Sequence, residues 1–374
     1  MPTVRVQKER LEEAILSPYA SKASVSRGRR VEEIPCDVRT AYERDTGRIL
    51  YSMPFRRLRH KTQVFFDPQN DHVCTRMEHV LYVSYLAETI GSALRLNTDL
   101  IRAIALGHDI GHTPYGHSGE ATLNRLLQRH DPSLQFRHEQ HGLRVIDILT
   151  EHKGRAGLNL SFEVRDGIAS HCGEKYDEFK LVPDRDKDEA SLMAGAFHHA
   201  PPATLEGCVV RFADRIAYVG RDIEDATRSG LLTFRELPES LQRTLGRSNA
   251  EIVDTLVRDV IEQSLDHDHI AMSPEKGKAL EALIKINVDR IYTAPRVKRY
   301  EVQVKNQIEG LFEYYWKLAR EEHITDTTGP AQAFRAYRAR HPEPDASPAR
   351  IVVDYIAGMT DPYADRQYRA IYEW

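Results

Sequence analysis

The run Leu106-Gly107-His108-Asp109-Ile110-Gly111-His112-Thr113-Pro114-Tyr115-Gly116-His117-Ser118-Gly119-Glu120 constrains this chain more than any other segment. Three histidines, an aspartate and a glutamate stand at the end of one helical pattern and in the turn after it. The adjacent His108-Asp109 pair offers a nitrogen and an oxygen donor. That mixture suits a divalent ion used for hydrolysis rather than a structural thiolate site. Glycines and Pro114 break the helix, so the later histidines come from a shaped turn. A histidine-rich loop beside a metal can supply acid, base and phosphate contacts to one pocket.

Helical phase brings in further residues. Asp99 to Ile110 reads as a helix with its N-cap at Asn97 or Thr98. Ile101, Ile104 and Ala105 share a face with His108, which turns His108 inward. Upstream, His79, Val83, Leu86 and Ile90 fall at i, i+4, i+7 and i+11, an amphipathic core stripe that a histidine opens. Downstream, Cys208 to Thr227 reads as a helix with apolar first turns, and Asp214, Tyr218 and Asp222 lie near one of its faces. A buried aspartate there must find a partner. Taken singly, each residue has an ordinary reading. An inward histidine is commonly a hydrogen-bonded core residue, an aspartate an ion-pair partner, a tyrosine a core aromatic.

The order His79, His108-Asp109, Asp214 resembles the H…HD…D signature of the HD-domain phosphohydrolases. The resemblance narrows to the bacterial deoxyguanosine triphosphate triphosphohydrolase family. It is carried by Phe55-Arg56-Arg57-Leu58, Lys61-Thr62-Gln63-Val64-Phe65, Thr75-Arg76-x-x-His79 and the histidine run itself. It continues in His138-Glu139-Gln140, Glu163-Val164-Arg165-Asp166-Gly167-Ile168, Asp214-x-Ile216-Ala217-Tyr218 with Asp222 and Asp225, and the late Met359-Thr360-Asp361. It covers the chain from about Ser26 to near the C-terminus. Met77-Glu78 departs from it, standing where relatives usually carry a small polar residue before the histidine.

The resemblance implies a reaction in which a deoxynucleoside triphosphate and water give the deoxynucleoside and inorganic triphosphate, with attack at the α-phosphorus. It implies one divalent metal, manganese, magnesium or another transition metal, on His79, His108, Asp109 and Asp214. His117, supported by Glu120, would transfer a proton or activate the nucleophile, because a carboxylate behind an imidazole fixes its tautomer and raises its basicity. His112 and His138 would meet phosphate oxygens or the leaving 5′-oxygen. Arg76, Lys61 and Arg215 would offset the charge of a triphosphate. By the same resemblance Gln63 and Asp222 would hold the sugar 3′-hydroxyl, and Tyr218 would stack under the deoxyribose and exclude a 2′-hydroxyl. The resemblance also implies a homo-oligomer, a hexamer first. Two other readings remain: an HD-type nucleotidase acting on deoxynucleoside monophosphates, and a non-catalytic sensor of nucleotides or single-stranded DNA.

The rest of the chain fits an enzyme of the cytoplasm. With 29% charged residues and a formal net charge of -4 over 374 residues, it lacks the basic excess of a nucleic-acid-coating protein. Its four cysteines have neither zinc-site nor disulfide spacing. No apolar run reaches the length of a membrane span, and no signal-peptide core opens the chain. Residues 1–30 read as a basic arm with a short helical pattern from Gln7 to Leu16. The arm ends in Ser26-Arg27-Gly28-Arg29-Arg30, either a solvated tail or a contact for a subunit, a regulatory nucleotide or single-stranded DNA. Residues 31–230 read as the catalytic core, and 231–374 as a helical region packed on it, with patterns at Glu251–Asp266 and Val304–Arg320. Asp177–Asp188 reads as a loop between helices and Leu232–Gly246 as partly irregular. Few segments alternate with a period of two, so the expected fold is all-α: an HD-type helical core with additional C-terminal helices.

Overall fold

The computed structural model describes residues 2–62, 74–173, 177–195, 199–320, 327–343 and 345–373. Helix accounts for 67% of the chain. Among the described residues, strands form only two antiparallel pairs, β1 (Glu151–His152) with β2 (Arg155–Ala156) and β3 (Lys180–Leu181) with β4 (Ile270–Ala271). The expected all-α class holds.

The first helices are α1 (Val4–Ile15), α2 (Ala41–Leu50), α3 (Met53–Arg57), α4 (Arg76–Ala93) and α5 (Thr98–Gly107). There follow α6 (Gly116–His130), α7 (His138–Arg144), α8 (Phe162–Ala169), α9 (Glu189–Met193) and the long α10 (Leu205–Arg228). The C-terminal part holds α11 (Glu239–Leu245), α12 (Asn249–Ser264), α13 (Pro274–Asn287), α14 (Pro295–Arg320), α15 (Gly329–Arg340), α16 (Pro348–Ala357) and α17 (Asp361–Tyr372). Helix α14 starts nine residues before Val304, where Pro295 opens its first turn without needing an N–H partner.

Helix α5 is the axis of the molecule. Leu100, Ile101, Ala103, Ile104, Ala105 and Leu106 are all buried, and α2, α4, α8 and α10 pack around them. A helix with so wide an apolar face sits inside, leaving Asp99 and Arg102 toward solvent. The Asn97 side chain caps it, accepting from the Asp99 and Leu100 N–H groups at 3.1 and 3.3 Å. The sequence pattern runs unbroken to Ile110, yet the α-helix ends at Gly107 and tightens into a 3-10 turn over His108–Gly111. Gly111 requires that tightening. A Cβ there would lie 2.0 Å from the His138 carbonyl oxygen and 2.3 Å from the Gly142 nitrogen, so α7 could not close on the turn.

The apolar interior falls into two clusters. The first is built on α2, α4, α5, α8 and α10 and extends through Leu256, Val260 and Leu283 of α12 and α13. The second joins Leu123, Leu126 and Leu127 of α6 and Phe136 to α14, α15, α16 and α17. The histidine turn between His108 and His117 lies at their junction. Tyr115 there has φ 63°, an uncommon left-handed geometry for a side-chain-bearing residue. It is held by Asp361 at the start of α17, whose carboxylate accepts the Tyr115 N–H at 2.9 Å and the Thr62 N–H at 3.0 Å.

The basic run closing the first thirty residues is seated on the core. Arg29 is ion-paired with the buried Asp45 and donates to the Asn159 carbonyl at 2.6 Å. Arg27 lies over the Phe162 ring at 4.7 Å. Among the described residues, no helix is long and apolar enough to cross a membrane.

Candidate metal centre

Three elements deliver donors to one point. Helix α4 begins with a reciprocal cap: Thr75 accepts from the Glu78 N–H, and the Glu78 carboxylate accepts from the Thr75 N–H. This gives Glu78 a local task at the position where the sequence departs from its relatives. The cap sets the first turn, so His79 faces inward and is buried. The turn after α5 supplies His108 and Asp109, and α10 supplies Asp214. His79 Nε2 lies 2.9 Å from Asp214 Oδ1 and 4.0 Å from Asp109 Oδ2. His108 Nε2 lies 3.6 Å from Asp109 Oδ1 and 3.9 Å from Asp214 Oδ1.

The group fits a divalent ion. His108 Nδ1 hydrogen-bonds the Ala105 carbonyl at 2.7 Å, which makes Nε2 the lone-pair nitrogen. That Nε2 is buried and has no hydrogen-bond partner. A backbone carbonyl behind a ring nitrogen is the usual support of a metal-ligating histidine. Asp109 is supported in turn by Arg76, whose guanidinium donates to Oδ2 at 2.8 Å. Burial pushes the Asp109 carboxyl upward, but Arg76 and the neighbouring histidines outweigh it and hold the group well below the usual carboxylate range. Burial acts likewise on Asp214, which its hydrogen bond from His79 and the nearby His108 and His171 bring down to about 2. Both carboxylates are therefore anionic at neutral pH, as hard oxygen ligands must be.

The other histidines line one side of this point. His112 Nε2 is 3.0 Å from Asp109 Oδ1, and its ring stacks on His138 at 3.8 Å and 17°. Burial, then Arg76 and His138, keep His112 neutral, well below its ordinary range. His117 is exposed at the mouth, its Nδ1 3.5 Å from Glu120 Oε2. Glu120 engages His138 more closely. It accepts the His138 backbone N–H at 2.8 Å and lies 3.1 Å from Nδ1. Burial opposes a charge on His138, yet Glu120 prevails and raises it well above the usual histidine value. A cavity of about 520 Å³ opens here, between His117, Glu120, Asn124, His138 and Cys172.

Not every residue read from the sequence reaches this cavity. Lys61 donates to the His112 carbonyl and, at 2.8 Å, to the Ala357 carbonyl, and it borders a different cavity of about 770 Å³ with Arg57 and Tyr337. Burial, then the nearby Arg57, push its ammonium down to about 7. Lys61 thus ties the histidine turn to α16 instead of facing the metal point. Arg215 donates to the Glu178 carbonyl at 2.9 Å. Arg76 is brought to Asp109 at the metal point, with its Nε and second terminal nitrogen buried and unbonded. Tyr218 and Asp222 follow Asp214 along α10. Asp222 accepts the Tyr292 hydroxyl, and burial raises its carboxyl to about 7. Gln63 lies outside the described residues.

Two neighbours escape the sequence reading, His171 and Tyr292. His171 sits between His108 and His138, its ring centroid 4.9 Å from one and 5.3 Å from the other. The available signal was the α8 stripe Val164, Ile168, His171 at i, i+4 and i+7, which a histidine closes just past the helix.

The HD domain matches residues 76–219, and the phosphohydrolase-associated domain matches residues 270–370. A deoxyguanosinetriphosphate triphosphohydrolase-like protein of Caldanaerobacter subterraneus subsp. tengcongensis is 42% identical over 99% of this chain and 96% of its own length. This chain belongs to that family. Another member, from Desulfatibacillum aliphaticivorans, is 39% identical over 99% of this chain and 98% of its own, and one from Clostridium tetani is 36% identical over 99% and 96%. As a dGTPase-like HD protein the chain is a phosphohydrolase, and the His/Asp centre is the part of the fold suited to that family's metal-dependent chemistry.

Proposed function

We propose that this protein hydrolyses deoxynucleoside triphosphates, dGTP or several of them, to the deoxynucleoside and inorganic triphosphate. One observation carries the reading. Buried His79, His108 and Asp109 stand with half-buried Asp214, and His112 joins them to His138 of a cavity that also holds His117 and Glu120, within a chain of dGTPase-like ancestry.

Those four residues would hold a divalent ion, which would supply polarisation of a phosphate oxygen and a lowered pKa for bound water. The other roles belong to the chain. The unbonded nitrogens of Arg76 offer donors to the triphosphate. His138, held cationic by Glu120, donates a proton or hydrogen bond toward the α-phosphate or the leaving 5′-oxygen, and neutral His112 stacks beneath it. His117 carries proton transfer from the cavity mouth. Tyr218 closes the sugar's 2′ face, and Asp222 with Gln63 takes the 3′-hydroxyl. The chain assembles as a homo-oligomer, a hexamer by family resemblance, and works on the cytoplasmic nucleotide pool.

The test incubates the protein with each dNTP and each NTP in manganese or magnesium and identifies the phosphorus product. Inorganic triphosphate with free deoxynucleoside supports the reading. Orthophosphate released from monophosphates replaces it with a nucleotidase. No turnover on any nucleotide leaves a sensor.

A further inference from the structure

Beside the cavity stands a second set of donors, which shares His138 with the proposed hydrolytic centre and adds His171 and Cys172. His138 Nε2 and His171 Nε2 face each other at 3.3 Å, and the Cys172 sulfur lies 3.7 Å from His138 Nε2. The ligand atoms of all three residues fall within 4.8 Å of one another. Each imidazole is anchored through its other nitrogen, His138 Nδ1 on Glu120 at 3.1 Å and His171 Nδ1 on the Ile168 carbonyl at 2.7 Å. That anchoring points both Nε2 atoms at the same place. At that separation the two nitrogens share either the proton of cationic His138 or a metal ion that replaces it.

The two distances to His138 Nε2 are close to those of a tetrahedral zinc site. With Zn–N of about 2.0–2.1 Å and Zn–S of about 2.3 Å, tetrahedral geometry separates two nitrogens by about 3.3 Å and a nitrogen from a sulfur by about 3.6 Å. Three protein donors leave a fourth position, which here faces the cavity of about 520 Å³. The donor types set the two centres apart. His79, His108, Asp109 and Asp214 offer nitrogen and oxygen only, whereas a thiolate selects zinc or cobalt over magnesium and manganese.

We infer that His138, His171 and Cys172 form a thiophilic metal site, selective for zinc, adjoining the hydrolytic centre. An ion there occupies His138 Nε2, so that imidazole can no longer reach a phosphate oxygen. It also holds His171 away from His108 and Asp214, the other group within its reach. The site therefore opposes hydrolysis: zinc inhibits the manganese-supported reaction. The binding claim is independent of the proposed substrate.

Cobalt(II) reads the site directly, because sulfur ligation adds a thiolate-to-cobalt charge-transfer absorption in the near ultraviolet that nitrogen and oxygen ligands do not. Reduced, metal-stripped protein titrated with cobalt is expected to develop this absorption, and added zinc to remove it. Cys172→Ser and Cys172→Ala should abolish it and bind one cobalt fewer per chain, while Cys74→Ser keeps it. In turnover assays with manganese, Cys172→Ser should keep its activity, and half-inhibition should need more than about tenfold more zinc, since loss even of a supporting outer-shell residue weakens metal binding by about 10–100-fold. No charge-transfer absorption in the wild type would overturn the site and leave a shared proton between the two imidazoles. An absorption that survives in both Cys172 variants would overturn it equally.

Discussion

The Arg76 guanidinium donates to the Asp109 carboxylate at 2.8 Å, with both side chains buried. One residue of the histidine-aspartate pair is thus neutralised from α4 before any metal arrives. Removing one partner of a buried ion pair typically costs about 3–5 kcal/mol, because the other charge is stranded. In Arg76→Ala a bound divalent ion takes over that neutralisation. The variant should therefore lose most stability when metal-free and much less when metal-saturated. Urea unfolding with and without manganese measures both, and an equal loss in the two states would contradict this account.

Metal content tests the centre itself. Alanine at His108 or Asp109 should remove both bound manganese and hydrolysis, and Asp214→Ala should do the same because Asp214 lies against both histidines. Elemental analysis of the purified variants decides it. A stoichiometric ion and normal turnover in Asp214→Ala would exclude it as a ligand.

The proposed sugar selection rests on α10. Tyr218 stands one turn after Asp214 on the same face of α10. Tyr218→Ala should raise the rate on ATP relative to dATP, and a 2′,3′-dideoxy substrate should be poor with the wild type. Leaving site groups unpaired costs about 1–3 kcal/mol. Equal wild-type rates on ATP and dATP would remove Tyr218 from this role.

The Asp222 carboxyl gives a pH signature. Burial raises it to about 7 from an ordinary 3.8. Between those values the folded state binds the extra proton, so this group's contribution is full below pH 3.8 and is lost as pH rises toward 7, by at most about 1.4 kcal/mol per pH unit. Asp222→Asn lacks that dependence. Wild type should gain on the variant when urea unfolding is moved from about pH 7 to about pH 5. An unchanged difference would show that Asp222 is ionised throughout.

The helices are legible in the sequence from apolar phase, which also turns His79 and His108 inward, whereas the joining of these two with Asp109 and Asp214 is legible only through the family resemblance. Each of the four sits on or just past a helix whose buried face is written in residues three and four apart. What the sequence hides lies where phase stops. His108–Ile110 reads as more helix because Ile110 continues the phase of Leu106, and the close approach of α7 at Gly111 accompanies the tighter turn seen there. Lys61 reads as a phosphate contact from charge alone. Its commitment to the His112 and Ala357 carbonyls depends on α16, nearly three hundred residues away in the chain. His171 and Cys172 follow the end of α8, and their pairing with His138 is a tertiary contact that no local period encodes.

Glu120 is nearer to His138 than to His117, which changes what its removal should do. A carboxylate that only oriented His117 would matter less than His117 itself. Here it also accepts the His138 backbone N–H and sustains the charge on the His138 ring. His117→Ala should keep the metal and lose about 10²–10⁴-fold in rate, the range for a positioned proton-transfer group. Glu120→Gln should lose at least as much, because both imidazoles are affected. Its pH profile should change as well. Without the carboxylate the His138 charge is lost at lower pH, so the limb that depends on protonated His138 moves toward acid. The metal-saturated rate of each variant against pH separates the cases. A Glu120→Gln enzyme with a small loss and an unmoved profile would return the pair to His117 and Glu120 alone. Loss of metal in His117→Ala would make that residue a ligand.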